Sequence, residues 1–305
     1  MLSAVYGRRR PRRPASALEQ HRAKRRSRPF RLADLGAWAT RKAHDASAAA
    51  PTARARAHVP LVVRSSVSLG ALAEPARAGR LPIDWAGLLA AGFPDPRSPD
   101  GEVVDELQRI VAPLVRQAFA AGAGRRDRVV LVTSAGPAEG RTFIAISLAL
   151  SLARDGPVLL IDADPGPSGT VARFNCASAT GLSDALAGPR LDPDRLIVRT
   201  ELDHLLLLGP GEAGSDLLDQ IASRRMVRLL HELLAEDPRR LVLIDGPPLS
   251  RPEAQALALF AGQVLLVVAA GTTPHGAVES ALARLGERPN VSLLLNRARV
   301  TRAPS

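Results

Sequence analysis

The sequence predicts an α/β fold with a doubly wound, mostly parallel sheet, on three observations. Short, continuous apolar runs alternate with helical segments from about residue 129 onward. None of these runs alternates polar with apolar residues, which is typical of strands covered by helices on both faces. Two of the runs end in an aspartate and a third leads into a loop containing glycine, as expected where such a sheet binds ligands.

Six strands are predicted at the apolar runs, which span residues 129–132, 158–161, 205–208, 241–244, 264–268 and 291–295. Helices are predicted between them at approximately 141–154, 214–236, 252–261 and 275–286. Before the first strand, residues 103–121 carry apolar side chains at helical spacing, and a shorter amphipathic piece spans 82–92. These assignments give the order of elements expected for a sheet with helical crossovers.

Residues 1–80 are predicted to form a basic, largely disordered extension, because they are rich in Arg, Ala and Pro and show little periodicity. The chain of 305 residues has a net charge of +11, and residues 1–31 alone hold eleven Lys or Arg against one acid, Glu19. Such a tail is a candidate to bind an anionic membrane surface or nucleic acid. We favour the simpler interpretation, a solvated arm or sequence upstream of the true start codon.

Cysteine content and hydropathy indicate where the chain works. The single cysteine, Cys176, excludes an internal disulfide and indicates a reducing compartment. No apolar run approaches the length of a membrane span, and no apolar segment follows the N-terminal arginines as in a secretory signal. We therefore expect a cytoplasmic protein, associated with a membrane only through a partner.

The first strand runs into a phosphate loop that departs from its consensus at two positions. Residues 129–142 read VVLVTSAGPAEGRT, to be compared with G-x-x-x-x-G-K-[ST]. Gly140 and Thr142 are in place, whereas Ala135 replaces the first glycine and Arg141 replaces the lysine. Backbone N–H groups in such a loop bind phosphates, the lysine reaches the β- and γ-phosphates, and the hydroxyl binds Mg²⁺. Because arginine is planar and longer, the segment indicates a nucleotide fold more clearly than an active enzyme.

Aspartates end two further strands and complete a constellation with the loop. The segment LLIDADPGPSG carries Asp162 and Asp164, and LVLIDGPPL carries Asp245. Carboxylates at this edge can bind Mg²⁺ directly or through water, and one of them could orient or deprotonate an attacking hydroxyl. Each signal alone is weak, since a strand-end Asp is more often a helix cap. Their order and spacing together predict a nucleotide-binding fold over residues 81–305.

Over residues 83–296 the sequence resembles the bacterial tyrosine autokinases of capsule and exopolysaccharide synthesis, the CpsD/CapB-like group, and within it the branch associated with the exosortase system. The phrases that carry the resemblance are DELQRIVAPLVRQAFA, GRTFIAISLALSLA, GLSDALAG, SDLLDQIASRRMVRLLHEL and IDGPP. The second of these is similar to GKTFTAINLALSIA in that branch. Such phrases are more specific than any phosphate-loop pattern.

The resemblance implies a P-loop NTPase fold of the MinD/ParA-like type, ATP and Mg²⁺ as cofactors, and roles for the residues of the constellation. Thr142, Asp162 and Asp245 would bind the metal, while Asp162 and Asp164 would serve the accepting tyrosine hydroxyl. Asn296, which ends the last strand, is a candidate to lie near the adenine, and a plain strand-end Asn is an equal alternative. The phosphates would contact the loop residues Ala135, Gly136, Ala138, Glu139, Gly140, Arg141, Thr142 and Phe143. The expected partners are a membrane polysaccharide co-polymerase and further copies of the chain.

Departures from the family pattern make catalysis doubtful. Besides Arg141, Ala138 replaces a glycine of the loop, Gly166 replaces the arginine after the paired aspartates, and Ser147 replaces an asparagine on the first helix. The family phosphorylates its own C-terminal tyrosine cluster, whereas this chain ends in RARVTRAPS and its single tyrosine is Tyr6. We therefore do not expect self-phosphorylation of such a cluster.

Three functions follow from these observations. The first is an ATP-binding, tyrosine-autokinase-like protein of exopolysaccharide synthesis or export, with Arg141 and the three aspartates as candidate catalytic residues. The second is a non-catalytic scaffold or regulator of the export machinery. The third is a ParA/MinD-like positioning ATPase, which is disfavoured because Gly136 stands where those proteins have a second lysine. We lean towards impaired catalysis.

Overall fold

The structure is a computed structural model that describes residues 79–98, 102–164, 169–176, 180–187, 196–212, 217–288 and 290–298. The basic segment 1–31, Tyr6 and Gly166 lie outside the described residues. The proposed boundary between the extension and the nucleotide-binding domain at residue 80 stays a prediction.

The centre of the fold is a seven-stranded sheet with the order β3-β4-β2-β5-β1-β6-β7. Its strands are β1 Val129–Ser134, β2 Val158–Asp162, β3 Val198–Arg199, β4 Leu205–Leu208, β5 Leu241–Asp245, β6 Gln263–Ala269 and β7 Val291–Asn296. All neighbouring strands are parallel except β3 and β4, which pair antiparallel at the edge. The carboxyl ends of β1, β2 and β5 therefore meet at one edge of the sheet.

Nine α-helices accompany the sheet in the part of the chain that the structure describes. They are α1 Trp85–Ala90, α2 Glu102–Ala118, α3 Arg141–Leu152, α4 Thr170–Arg173, α5 Leu182–Ala187, α6 Leu217–Ile221, α7 Arg224–Glu236, α8 Pro252–Phe260 and α9 His275–Leu285. A short 3₁₀ helix, Arg125–Arg128, leads into β1. No helix among these residues is long and apolar enough to cross a membrane.

Two hydrophobic layers cover the two faces of the sheet. Alternate residues of β1 belong to opposite layers, since Leu131 packs in one and Val130 and Val132 pack in the other. The layer with Leu131 contains helices α5 to α9, and the other contains α1, α2 and α3. Strands buried on both faces are apolar at every position, which is the pattern that the sequence shows.

The predicted α/β fold and its six strands are confirmed. The single helix expected at 214–236 is wrong, because α6 and α7 are separated at Ser223, whose side chain accepts a hydrogen bond from the Arg225 N–H at 3.1 Å and caps α7. Strand β3 was not predicted, since its two residues are too few to give an apolar run.

Candidate nucleotide-binding site

The candidate phosphate loop joins β1 to α3 and contains two residues with a positive φ. Gly140 is the N-cap of α3 with φ 89°, and a Cβ added there would lie 2.2 Å from Asn296 Nδ2. Ala138 also has a positive φ, 58°, which costs a residue with a Cβ about 1–2 kcal/mol. The glycine that is missing at position 138 would have adopted this conformation without that cost.

The Glu139 side chain stabilises the loop from inside. This buried carboxylate accepts hydrogen bonds from the Gly136 N–H at 3.1 Å and from the Thr273 hydroxyl, and it also interacts with the Ala135 N–H. Burial raises the pKa of Glu139, while these donors lower it. Glu139 therefore uses two backbone N–H groups of the loop and ties the loop to the turn that follows β6.

Asn296 also contacts the loop. Its Nδ2 donates to the Glu139 carbonyl at 2.9 Å, and its Oδ1 accepts from the Arg297 N–H at 2.9 Å. Both ends of the amide are thus used for backbone contacts, so this geometry favours the alternative in which Asn296 is a structural strand-end residue. The neighbouring Arg297, not Asn296, lines the adjoining cavity.

Arg141, at the lysine position, forms an ion pair with Asp164. Its other terminal nitrogen lies 3.4 Å from Ser134 Oγ, and its Nε is buried with no hydrogen-bond partner among the described residues. Asp164 also accepts from Arg251 at 3.4 Å, so one carboxylate lies between two guanidinium groups. The cation of the loop is consequently directed at the end of β2.

Asp162 and Asp245 are adjacent at the ends of two neighbouring parallel strands and lie opposite each other in the β2–β5 register. Burial raises the pKa of Asp162 to about 6, and burial together with the charge of Asp162 raises the pKa of Asp245 to about 7. A cation between the two carboxylates would relieve both effects, because it offsets the lost hydration and the mutual repulsion.

The donors at this edge fit a Mg²⁺ ion. Asp245 is fully buried, and its Oδ1 has no hydrogen-bond partner among the described residues. The Thr142 hydroxyl lies close enough to lower the pKa of Asp245, although it does not complete a hydrogen bond to Oδ1. No cluster of three or more His, Cys, Asp or Glu that could bind a metal occurs in the described ranges. Mg²⁺ is usually bound by one or two carboxylates together with water and phosphate oxygens, and Asp162 and Asp245 supply two carboxylates.

A cavity of about 320 Å³ opens beside the loop. Phe143 lines it and stacks on Phe93, with ring centroids 4.8 Å apart and an interplanar angle of 30°. Arg173 and Arg297 contribute positive charge to its walls. Its position next to Gly140 and its mixed aromatic and basic lining suit the ribose and base of a nucleotide.

Sequence reasoning missed several residues of this site. Thr170 contacts Asp245, Thr273 contacts Glu139, Arg251 contacts Asp164, and Phe93 stacks on Phe143. None belongs to a recognisable motif, and each comes from a segment distant in the chain from its partner. Only Arg251, which follows IDGPP closely, carried a signal, because charged residues near a strand end are candidates for a ligand site.

Comparison with known proteins agrees with the geometry. No protein-family model matches the chain. The chain is 32% identical over 192 residues to the succinoglycan biosynthesis transport protein ExoP of Rhizobium meliloti, covering 58% of this chain and 24% of ExoP. It is 30% identical over 155 residues to the tyrosine-protein kinase YwqD of Bacillus subtilis, covering 50% of this chain and 64% of YwqD. The match thus spans less than two thirds of either relative.

A solved structure shares the fold. The kinase domain of the Escherichia coli tyrosine kinase ETK superposes with a TM-score of 0.51 and 27% identity, covering 58% of this chain and 71% of that domain. The chain is thus a homologue of the bacterial tyrosine-protein kinases and has the fold of their kinase domains.

Proposed function

We propose that the protein binds Mg²⁺·ATP at the carboxyl edge of the sheet and functions in exopolysaccharide or capsule synthesis or export, with phosphoryl transfer impaired by Arg141. Kinase relatives and a relative named for succinoglycan biosynthesis support the nucleotide and the pathway class. The paired carboxylates and the orphaned Asp245 oxygen support the metal.

Each residue of the site would have a distinct task. The N–H groups at the start of α3 would hold the phosphates, because a helix N-terminus carries partial positive charge. Thr142, Asp162 and Asp245 would bind Mg²⁺, which offsets phosphate charge when bound. Asp164 would orient or deprotonate the attacking hydroxyl of a tyrosine on another protein.

The Arg141–Asp164 ion pair is the observation that carries the impairment. The pair is largely buried, with 14% and 15% of the two side chains exposed. As long as it persists, the loop lacks its cation and Asp164 is not free to accept a proton. The Arg141 Nε is also buried without a hydrogen-bond partner among the described residues. A lysine has no N–H group at that position of its side chain. Losing one charge-assisted phosphate contact costs about 1.5–3 kcal/mol.

Nucleotide binding and turnover of the full chain test this proposal. Wild type is compared with Arg141→Lys, with Arg284→Lys on the exposed side of α9 as the matched control. Fluorescent ADP measures affinity, and ATP hydrolysis and phosphorylation of a Glu–Tyr copolymer measure turnover. We expect Arg141→Lys to raise turnover about tenfold, which corresponds to about 1.4 kcal/mol.

The outcomes separate the alternatives. Equal turnover by wild type and Arg141→Lys contradicts the impairment. Binding by both without any hydrolysis supports the scaffold or regulator instead. A wild type that binds no nucleotide contradicts the proposal as a whole.

We propose a membrane polysaccharide co-polymerase as the partner of this chain. The supporting observation is the match to the transport protein ExoP, which is about four times as long as its matching segment. Contact with an anionic membrane surface or nucleic acid stays the less favoured alternative for the basic segment 1–31. Deleting it should abolish salt-sensitive binding to anionic vesicles and to DNA, and unchanged binding would contradict that role.

A further inference from the structure

Thr170, which no motif identifies, contacts one of the candidate metal-binding carboxylates. It begins α4 and is 1% exposed, and its hydroxyl donates to Asp245 Oδ2 at 3.1 Å. The other oxygen of Asp245 has no hydrogen-bond partner among the described residues. One oxygen of this buried carboxylate is therefore fixed by a hydroxyl, and the second is left for another ligand.

The same segment also holds the neighbouring carboxylate. The Val171 N–H donates to Asp162 Oδ2 at 3.2 Å, and the Asp164 N–H donates to Asp162 Oδ1 at 3.2 Å. Gly169 permits this approach, because a Cβ at that position would lie 2.6 Å from Asp162 Oδ2. Residues 169–171 thus contact both strand-end carboxylates, which are neighbours in the β2–β5 register.

Burying a carboxylate oxygen without a hydrogen-bond partner costs free energy. If the only role of Thr170 were to satisfy Asp245, we would expect both oxygens of Asp245 to have partners. Orientation explains the arrangement better. With Oδ2 bonded to Thr170, rotation of the carboxylate about its terminal torsion is restricted, and Oδ1 is kept in one direction. Residues that hold a ligand in this way typically change metal affinity by 10–100-fold when they are removed.

We propose that Thr170 is a positioning residue that orients Asp245 so that Oδ1 binds Mg²⁺. This inference rests on the proposed function, because it concerns the metal of the same nucleotide site. Thr170 itself does not bind the metal, since its hydroxyl proton is donated to the carboxylate. Removing the hydroxyl weakens the metal site and leaves the phosphate loop unchanged, because the Thr170 hydroxyl bonds to Asp245 and not to the loop.

The experiment uses Mn²⁺ as the probe for the Mg²⁺ site on the full chain in the presence of ADP. Free Mn²⁺ is measured by electron paramagnetic resonance, and ADP affinity is measured separately in EDTA. The variants are Thr170→Val, which keeps the shape but loses the hydroxyl, and Thr170→Ser, which keeps the hydroxyl. Thr200→Val is the matched control, because Thr200 is as buried as Thr170. The Thr200 hydroxyl bonds to backbone carbonyls at the amino end of β4, whereas the candidate site lies at the carboxyl ends of the strands.

We expect Thr170→Val to weaken Mn²⁺ binding by about tenfold or more, and Thr170→Ser and Thr200→Val to stay within about threefold of wild type. Affinity for ADP in EDTA should be unchanged in all of them. Thr170→Ala repeats the measurement if the valine variant does not fold, since alanine introduces no additional bulk.

Two results would overturn the inference alone. One is a folded Thr170→Val variant with the Mn²⁺ affinity of wild type, and the other is a Thr170→Ser variant as weak as Thr170→Val. A wild type that binds neither ADP nor Mn²⁺ overturns the proposed function and this inference with it.

Discussion

Replacing Asp245 by Asn should change how the stability of the protein depends on pH. Burial and the charge of Asp162 raise the pKa of Asp245 from 3.8 to about 7 in the folded state. Between these two values the unfolded chain has lost the proton and the folded chain retains it. The stabilisation that comes from the protonated Asp245 carboxyl is therefore fully present below pH 3.8. It is lost progressively as the pH rises from 3.8 to about 7.

The magnitude follows from the shift. One pKa unit corresponds to 1.36 kcal/mol, so the full loss is about 4 kcal/mol, and most of it, about 3 kcal/mol, falls between pH 5 and 8. Asn has nearly the same shape and cannot ionise. Asp245→Asn should therefore lack this loss, and its stability relative to wild type should increase by about 3 kcal/mol from pH 5 to pH 8.

Urea unfolding followed by circular dichroism at several pH values, without added metal, measures both curves. The comparison uses slopes rather than absolute stabilities, because Asn also changes a hydrogen bond to Thr170. Parallel curves for the two proteins would refute the reasoning, since they would mean that Asp245 has similar pKa values in the folded and unfolded chain.

Three further predictions concern residues around the site and the core. Gly140→Ala should destabilise the fold by about 1–2 kcal/mol, because Gly140 has a left-handed backbone conformation, and should lower ADP affinity at least tenfold by displacing the loop. Urea unfolding and nucleotide titration measure these two effects, and unchanged ADP affinity would contradict the prediction. Arg128→Met should cost about 2 kcal/mol in urea unfolding, because this buried guanidinium donates to the carbonyl of Leu234 in the last turn of α7 and to those of Asp237 and Arg240 just after it. A loss below about 0.5 kcal/mol would show that these hydrogen bonds are unimportant. Phe93→Leu should lower the free energy of unfolding by about 1–2 kcal/mol by removing the stack on Phe143, whereas Phe119→Leu, at an exposed site, should change it by no more than about 0.5 kcal/mol. Equal losses of stability in the two variants would contradict the role of the stack.

The order of elements was predictable because burial on both faces leaves a direct trace in the sequence. Strands such as β1 and β5 must be apolar at every position, so their location could be determined without the fold. Short or edge elements leave no such trace, and β3 and the break between α6 and α7 were therefore missed.

The candidate site was predictable only where it follows the strands. Asp162, Asp245 and the loop residues were identified because each comes directly after an apolar run, and parallel strands bring their carboxyl ends together. The contacts of Glu139 with Thr273 and of Asp164 with Arg251 join segments far apart in sequence. No local pattern predicts such pairs, because they depend on how the turns pack.

The sequence by itself determined the α/β class and the positions of the candidate phosphate loop and of the strand-end aspartates, because these depend on local periodicity and on the direction of parallel strands. The tertiary structure decided how these groups are used. It pairs Arg141 with Asp164, binds Glu139 into the loop, and leaves one oxygen of Asp245 bare while Thr170 holds the other. These outcomes are set by burial and by distances between side chains from different segments, and neither quantity exists until the chain has folded.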